Sequence, residues 1–155
     1  MAASDVPDHV LDYLAQRKTL TLATASSGGE PHAATLVYVN KGSVLYVWLR
    51  QSSATNGHIQ ENSRVAFAID EYSDDWRQTK GVQGAGQCEP VTQGEEMAEA
   101  ADLFGQKFPD LRPGATSAVT FYRVTPSEVH FIDNTSGEGD PEPDEYRRES
   151  FGGGG

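Results

Sequence analysis

The sequence predicts a mainly β domain with flanking helices, folded as a small antiparallel barrel. Three observations lead there. Short strand-like runs follow one another closely, with Gly-, Pro- and Asn-containing turns between them. Only two stretches carry a helical period. One run, VLYVWL at 44–49, is apolar at every position, which requires cover on both faces of that strand. A barrel wall that meets a helix or a second subunit meets this requirement.

The elements follow in order. Ser4 or Asp5 caps the first helix, Pro7 suits its first turn, and Val6, Val10 and Leu14 share a face that runs to about residues 16–18. TLTLATA at 19–25 alternates as a strand does, and SSGGEP turns the chain. HAATLVYVN at 32–40 is the second strand, NKGS a tight hairpin turn, VLYVWL the third strand and RVAFAID at 64–70 the fourth. The fifth, TKGVQGAGQCEP at 79–90, contains Gly81, Gly84 and Gly86. Glycine weakens a strand unless a bulge, a barrel corner or a closely apposed ligand needs it, and the sequence leaves those alternatives open. TQGEEMAEAADLFGQKF is a helix with a Thr92–Glu95 capping box and a stripe of Met97, Ala101, Phe104 and Phe108, ended by Pro109 and Pro113. SAVTFYRV and SEVHFID are two final strands separated by Thr-Pro.

The chain of 155 residues fits one domain. Residues 1–139 carry the fold, and 140–155, acidic and then Gly-rich, read as a flexible tail. No apolar run approaches the roughly 18 residues of a membrane span, and MAASDVPDHV lacks the regions of a signal peptide. The expected location is the cytoplasm, without a membrane partner. A net charge of −11 with scattered Lys and Arg argues against nucleic acid. The single cysteine, Cys88, reads as a small core residue in a reducing compartment.

Most catalytic patterns are missing. The four histidines are far apart, with no HxxxH or CxxC spacing, so no metal site is expected. No GxSxG elbow is present, and GVQGAG at 81–86 sits inside a strand and opens no helix, unlike a dinucleotide fingerprint. Two stretches remain: RQSSATNGHIQENSRV at 50–65, rich in hydroxyls beside Arg50, and the glycine-rich strand.

In those stretches the chain resembles the pyridoxamine 5′-phosphate oxidase-like family of flavin-binding split barrels. SxxxxHxxENxRV, from Ser53 to Val65, is similar to the segment joining the family's third and fourth strands. There a Ser-Arg-Lys cluster precedes a short helix ending in Asn-Pro-Arg-Val. KGVQGAGQ resembles the strand that closes the barrel beside the flavin ring. VHFIDNTSGEG, with Phe131, Asp133, Asn134 and Thr135, looks like a small bacterial branch of the family.

The resemblance implies a six-stranded antiparallel split β-barrel that forms a homodimer, with two flavin mononucleotide (FMN) sites at the subunit interface. Deazaflavin or haem are the alternative cofactors. Ser53 matches the serine of the phosphate cluster, while Ala54 and Thr55 stand where Arg and Lys are usual. Arg50 and Ser52 are the nearest remaining donors. His58 is expected at the start of the short helix, where the helix dipole favours an anion. Lys80 and Gln83 match the strand whose polar side chains reach the flavin's pyrimidine edge. A hydrogen bond to a charged group contributes about 1.5–3 kcal/mol, so loss of the two cations weakens a phosphate by roughly two to four decades. The function implied is an FMN-dependent oxidoreductase with unknown substrate and no visible catalytic acid or base. The alternative is a non-catalytic cofactor-binding module. Pyridoxamine phosphate oxidation itself is not expected, because the basic C-terminal segment of the true oxidases is replaced by acidic residues and glycines.

Overall fold

The computed structural model describes residues 5–92, 94–111, 118–142 and 146–152. In chain order they form α1 (Asp8–Gln16), β1 (Thr19–Ala25), β2 (Pro31–Val37), β3 (Val39–Lys41), β4 (Val44–Arg50), α2 (Ala54–Glu61), β5 (Arg64–Glu71), β6 (Lys80–Pro90), α3 (Gly94–Lys107), β7 (Val119–Asp133) and β8 (Arg148–Gly152). One antiparallel sheet runs β2-β1-β5-β6-β7-β4-β3, and β8 joins it by pairing with β7. The sheet curls into a half-barrel around Leu20, Leu22, Phe67, Val82 and Phe131, and α1 adds Val10 and Leu14 to that core.

The sheet has eight strands, where the resemblance implies six and the elements read along the sequence number seven; a split, a fusion and an added strand take the seven to eight. The expected second strand breaks at Tyr38, which is wholly buried and donates its hydroxyl to the Leu14 carbonyl at 2.5 Å. The remainder, β3, pairs with β4 in a hairpin whose turn includes Gly42 at φ +59°. The two expected final strands fuse into β7. Pro126 falls at a bulge against β6 and in the gap where β7 changes its other partner, from β4 (to Val124) to β8 (from Glu128). Finally, residues 148–152, within the stretch expected to be a flexible tail, form β8.

The start of α1 differs from expectation. Pro7 is extended (φ −72°, ψ 159°) and takes the N-cap position of α1, so the first turn begins at Asp8 and not from a cap at Ser4 or Asp5; residue 4 lies outside the described residues. Helix α3 begins at Gly94, and its expected Thr92–Glu95 capping box spans residue 93, which also lies outside them. The buried face of α3 carries Ala100 and Phe104, whereas Met97 and Ala101 are exposed.

That face explains the apolar run of β4. Leu45, Val47 and Leu49 point into the barrel core, while Val44, Tyr46 and Trp48 belong to a second cluster with Phe104, Ala100, Phe121 and Val91. α3 of the same chain therefore supplies cover on the outer face of β4. An ion-pair network fixes this layer. Tyr46 donates to Glu96 at 2.9 Å, and Arg123 donates to the same carboxylate at 2.5 Å.

The seam between the clusters holds Lys107. Its Nζ is buried without a hydrogen-bond partner among the described residues, 4.2 Å from the Tyr38 ring centroid. Burial, and secondarily Lys18, push its pKa down from 10.5 to about 8. Between these values the unfolded chain keeps a proton that the folded chain has released. This group therefore opposes folding at neutral pH, and its penalty disappears as pH rises from about 8 to about 10.5.

The three glycines of β6 are explained by the chain itself. A Cβ on Gly81 would lie 2.7 Å from the Ile69 carbonyl oxygen. On Gly84 it would lie 2.4 Å from the Phe67 ring, and on Gly86 2.1 Å from the Thr125 carbonyl oxygen. Bulge and close strand approach account for them without a ligand.

Two stability measurements follow. In urea denaturation, Gly86→Ala should cost about 2–3 kcal/mol, since backbone must move. Gly105→Ala, in α3 with nothing within 4 Å of the new methyl, should gain about 0.5–1 kcal/mol. Thermal unfolding of Lys107→Met should show a higher midpoint than the parent at pH 7, and a difference that shrinks by pH 10. Equal gains at both pH values would mean that the amine is not desolvated.

Candidate functional site

Helix α2 is seated by polar contacts that consume most of its own donors and acceptors. Ser53 is the N-cap, and its hydroxyl accepts from the Asn56 backbone N–H at 3.1 Å. Asn56 is buried, donates to the Gln51 carbonyl at 3.0 Å and accepts from the Tyr122 hydroxyl. Thr55 is buried as well. Of the expected phosphate-binding set, Arg50 and Ser52 are exposed at this turn, and the Arg50 guanidinium enters no ion pair among the described residues.

His58 is displaced from its expected place. Because Ser53 caps the helix, α2 starts at Ala54 and His58 lies in its last turn, away from the anion-favouring end. Its Nδ1 lies 3.4 Å from the Thr24 hydroxyl, and its ring meets His32 edge-on at 5.4 Å. Lys80 and Gln83 are separated too. Residues of β6 alternate, so Lys80 shares the parity of core-facing Val82, and Gln83 is exposed on the opposite face. The two therefore do not address one ligand from this strand. Trp48 packs in the second cluster under α3.

The face that carries Gln83 is left open by the described residues, with Ala23, Ala66, Ala68 and Gln83 exposed on it. Strand register lines up two rows across it. One is Ala33–Ala23–Ala66–Ala85–Glu128–Gly152, and the other is Thr35–Thr21–Ala68–Gln83–His130–Ser150. Their middle members line a shallow groove of about 380 Å³, floored by alanines and Gly84 and rimmed by Gln83, Glu128 and His130. Small side chains let a flat surface approach the backbone, and one polar edge gives such a surface an orientation.

Sequence reasoning singled out Gln83 but missed His130 and Asn56. His130 was hidden because its strand was read without its neighbours, although the alternation in VHFID already opposed it to Val129 and Phe131. Cys88 is buried, and burial, then Glu89, push its thiol up to about 12, the opposite of the setting that activates a thiolate. Among the described residues no group of three His, Cys, Asp or Glu gathers to hold a metal, and no helix is long and apolar enough to cross a membrane.

A curled antiparallel half-barrel with one uncovered, small-residue face and a short polar-capped helix defines a split-barrel protein. A family model described as pyridoxamine 5′-phosphate oxidase matches residues 6–133, and the chain belongs to that family. Solved structures agree in fold. The haem storage protein HutZ of Vibrio cholerae superposes with a TM-score of 0.68 at 17% identity, over 81% of this chain and 91% of that one. A haem-binding protein of Mycobacterium smegmatis gives 0.73 at 19% identity, over 89% of this chain and 54% of that one. An FAD-binding protein of Mesorhizobium loti gives 0.63 at 23% identity, over 78% and 89%. No curated protein sequence matches the chain.

Proposed function

We propose that the chain binds a flavin, FMN in the first instance, on the uncovered face of the sheet where two copies meet, and that it serves as an oxidoreductase. The observation that carries this is the groove itself. Its floor of Ala23, Ala66, Ala68 and Gly84 accepts a planar ring, and its single polar rim matches a ring with hydrogen-bonding groups along one edge. The surrounding rows of Ala and Thr offer a second copy a flat surface, which supports the homodimer. A bound flavin supplies hydride or electron transfer, and the protein supplies orientation and shielding from water. Gln83 is the residue of this chain that would face the ring's polar edge.

The ring fits better than the phosphate. Ser53 is engaged as a cap and Thr55 is buried, so Arg50 and Ser52 are left to hold a phosphate, together with the free N–H groups of the first turn of α2. This deficit favours a second reading, in which the cofactor is haem or a deazaflavin and the protein is a binding module without turnover. The haem-binding proteins among its structural likenesses support that alternative.

The absorbance spectrum of the purified protein separates the readings, with mass spectrometry of whatever co-purifies. A flavin gives two broad visible bands, and haem gives a sharp Soret band. Light scattering on the same sample should give twice the 16.8 kDa chain mass; a monomer would remove the interface from the proposal. For the site, Arg50→Ala should weaken FMN about tenfold or more while leaving riboflavin unchanged. Equal losses would mean that Arg50 does not touch the phosphate.

A further inference from the structure

We infer that His130 is a ligand-facing residue of the groove, and that the C-terminal strand β8 positions it through Ser150. The inference rests on the cofactor reading above and adds a residue and a coupling to it. His130 stands beside Gln83 in the second cross-strand row and lines the groove. Its side chain is 25% exposed, so it is neither a core residue nor a free surface one.

The two ring nitrogens have different surroundings. Nδ1 lies 2.8 Å from the Ser150 hydroxyl, a full hydrogen bond. Nε2 lies 3.7 Å from the nearer Glu128 oxygen, too far for one. The Ser150 hydroxyl can donate or accept, and the Glu128 carboxylate beyond the other nitrogen favours the proton on Nε2; Nδ1 then accepts from Ser150, and Nε2 has no close partner among the described residues. A donor at the groove rim is what the carbonyl edge of a flavin ring needs, next to the amide of Gln83.

Ser150 is held by contacts that do not involve the groove. The Arg147 guanidinium donates to the carbonyls of Ser136, Glu138 and Gly139, the last two at 3.0 and 2.9 Å. The Arg147 N–H donates to the Asn134 side-chain oxygen at 2.9 Å. His9 of α1 meets the Glu149 carboxylate at 3.1 Å, and Phe151 packs against the main core. β8 thus reaches His130 already ordered. Ser150 is a positioning residue, since its hydrogen bond to Nδ1 holds the ring angle of His130 and it touches no ligand in this arrangement. Because coupling is reciprocal, a ligand bound to His130 must also hold β8 more firmly.

The test uses the full chain, with riboflavin and FMN titrated by quenching of flavin fluorescence. His130→Ala should weaken both flavins about tenfold and Ser150→Ala about threefold, consistent with single hydrogen bonds, while Ser150→Thr restores the parent affinity. His130→Phe, which keeps a ring but no hydrogen-bond donor, replaces the alanine variant if that one does not fold. Amide exchange across 148–152 should slow when FMN is added to the parent but not to His130→Ala. Parent-like affinity in His130→Ala or His130→Phe overturns the ligand-facing role. Parent-like affinity in Ser150→Ala, or exchange in β8 indifferent to FMN, overturns the positioning role. A parent protein that binds neither flavin overturns the cofactor reading, and this inference with it.

Discussion

β6 and β7 approach one another more closely than side chains permit. At Gly84 and Gly86 an added methyl would overlap the Glu128 and Thr125 carbonyl oxygens at 2.8 and 2.1 Å, and the Phe67 ring of β5 lies over Gly84 from the core side. That contact sets the curvature. It allows β7 to run for 15 residues with β6 along one edge, while β4 and then β8 share the other. β7 therefore carries one end of the chain past every layer: the α3 cluster at Phe121, the barrel core at Val124 and Phe131, and the groove rim at Glu128 and His130. A side chain at residue 86 would disturb all three layers together, because backbone and not a flexible side chain stands in the way.

A second constraint acts at α2. The helix has eight residues and a weak apolar face, so packing alone does not hold it. It is held by Ser53, Asn56 and Tyr122 instead. A hydroxyl that already caps a helix has one acceptor pair fewer for any other purpose, and an amide shared between Gln51 and Tyr122 has none facing outward. The loss of the family's cations at Ala54 and Thr55 and the internal use of the neighbouring polar groups point the same way. This helix is a structural plug first, and any anion held there depends on Arg50 and backbone N–H groups.

Much of the fold was legible because it rests on local periodicity. The alternation of TLTLATA and RVAFAID and the continuous apolarity of VLYVWL each state a burial pattern that the strands then show. What was not legible depends on partners distant in sequence. Nothing local says that Tyr38 will turn inward to reach Leu14, or that Thr-Pro at 125–126 will continue a strand because its other edge is changing partner there. β8 was invisible for the same reason. Its composition is polar, and its order comes from carbonyls eight to eleven residues upstream closing on Arg147. The site was half legible. Residue types at 50–58 identified the segment, and the odd spacing of Lys80 and Gln83 already put them on opposite faces of one strand; that Gln83 stands beside His130 needed the register of β6 with β7.

The uncovered face shows how a site can be built with little cost to the isolated chain. Apolar burial contributes about 25 cal/mol per Å², so exposed alanines forfeit far less than exposed leucines would. Ala23, Ala66 and Ala68 leave the surface soluble yet nearly smooth, with the backbone close beneath it. A flat partner, whether a ring or the same face of another copy, gains many small contacts there and meets few side chains that must be ordered first. Such a floor has almost no chemical specificity of its own. Discrimination then falls to the few polar groups at its edge, and in this sheet that edge is where β6, β7 and β8 place Gln83, His130 and Ser150 side by side.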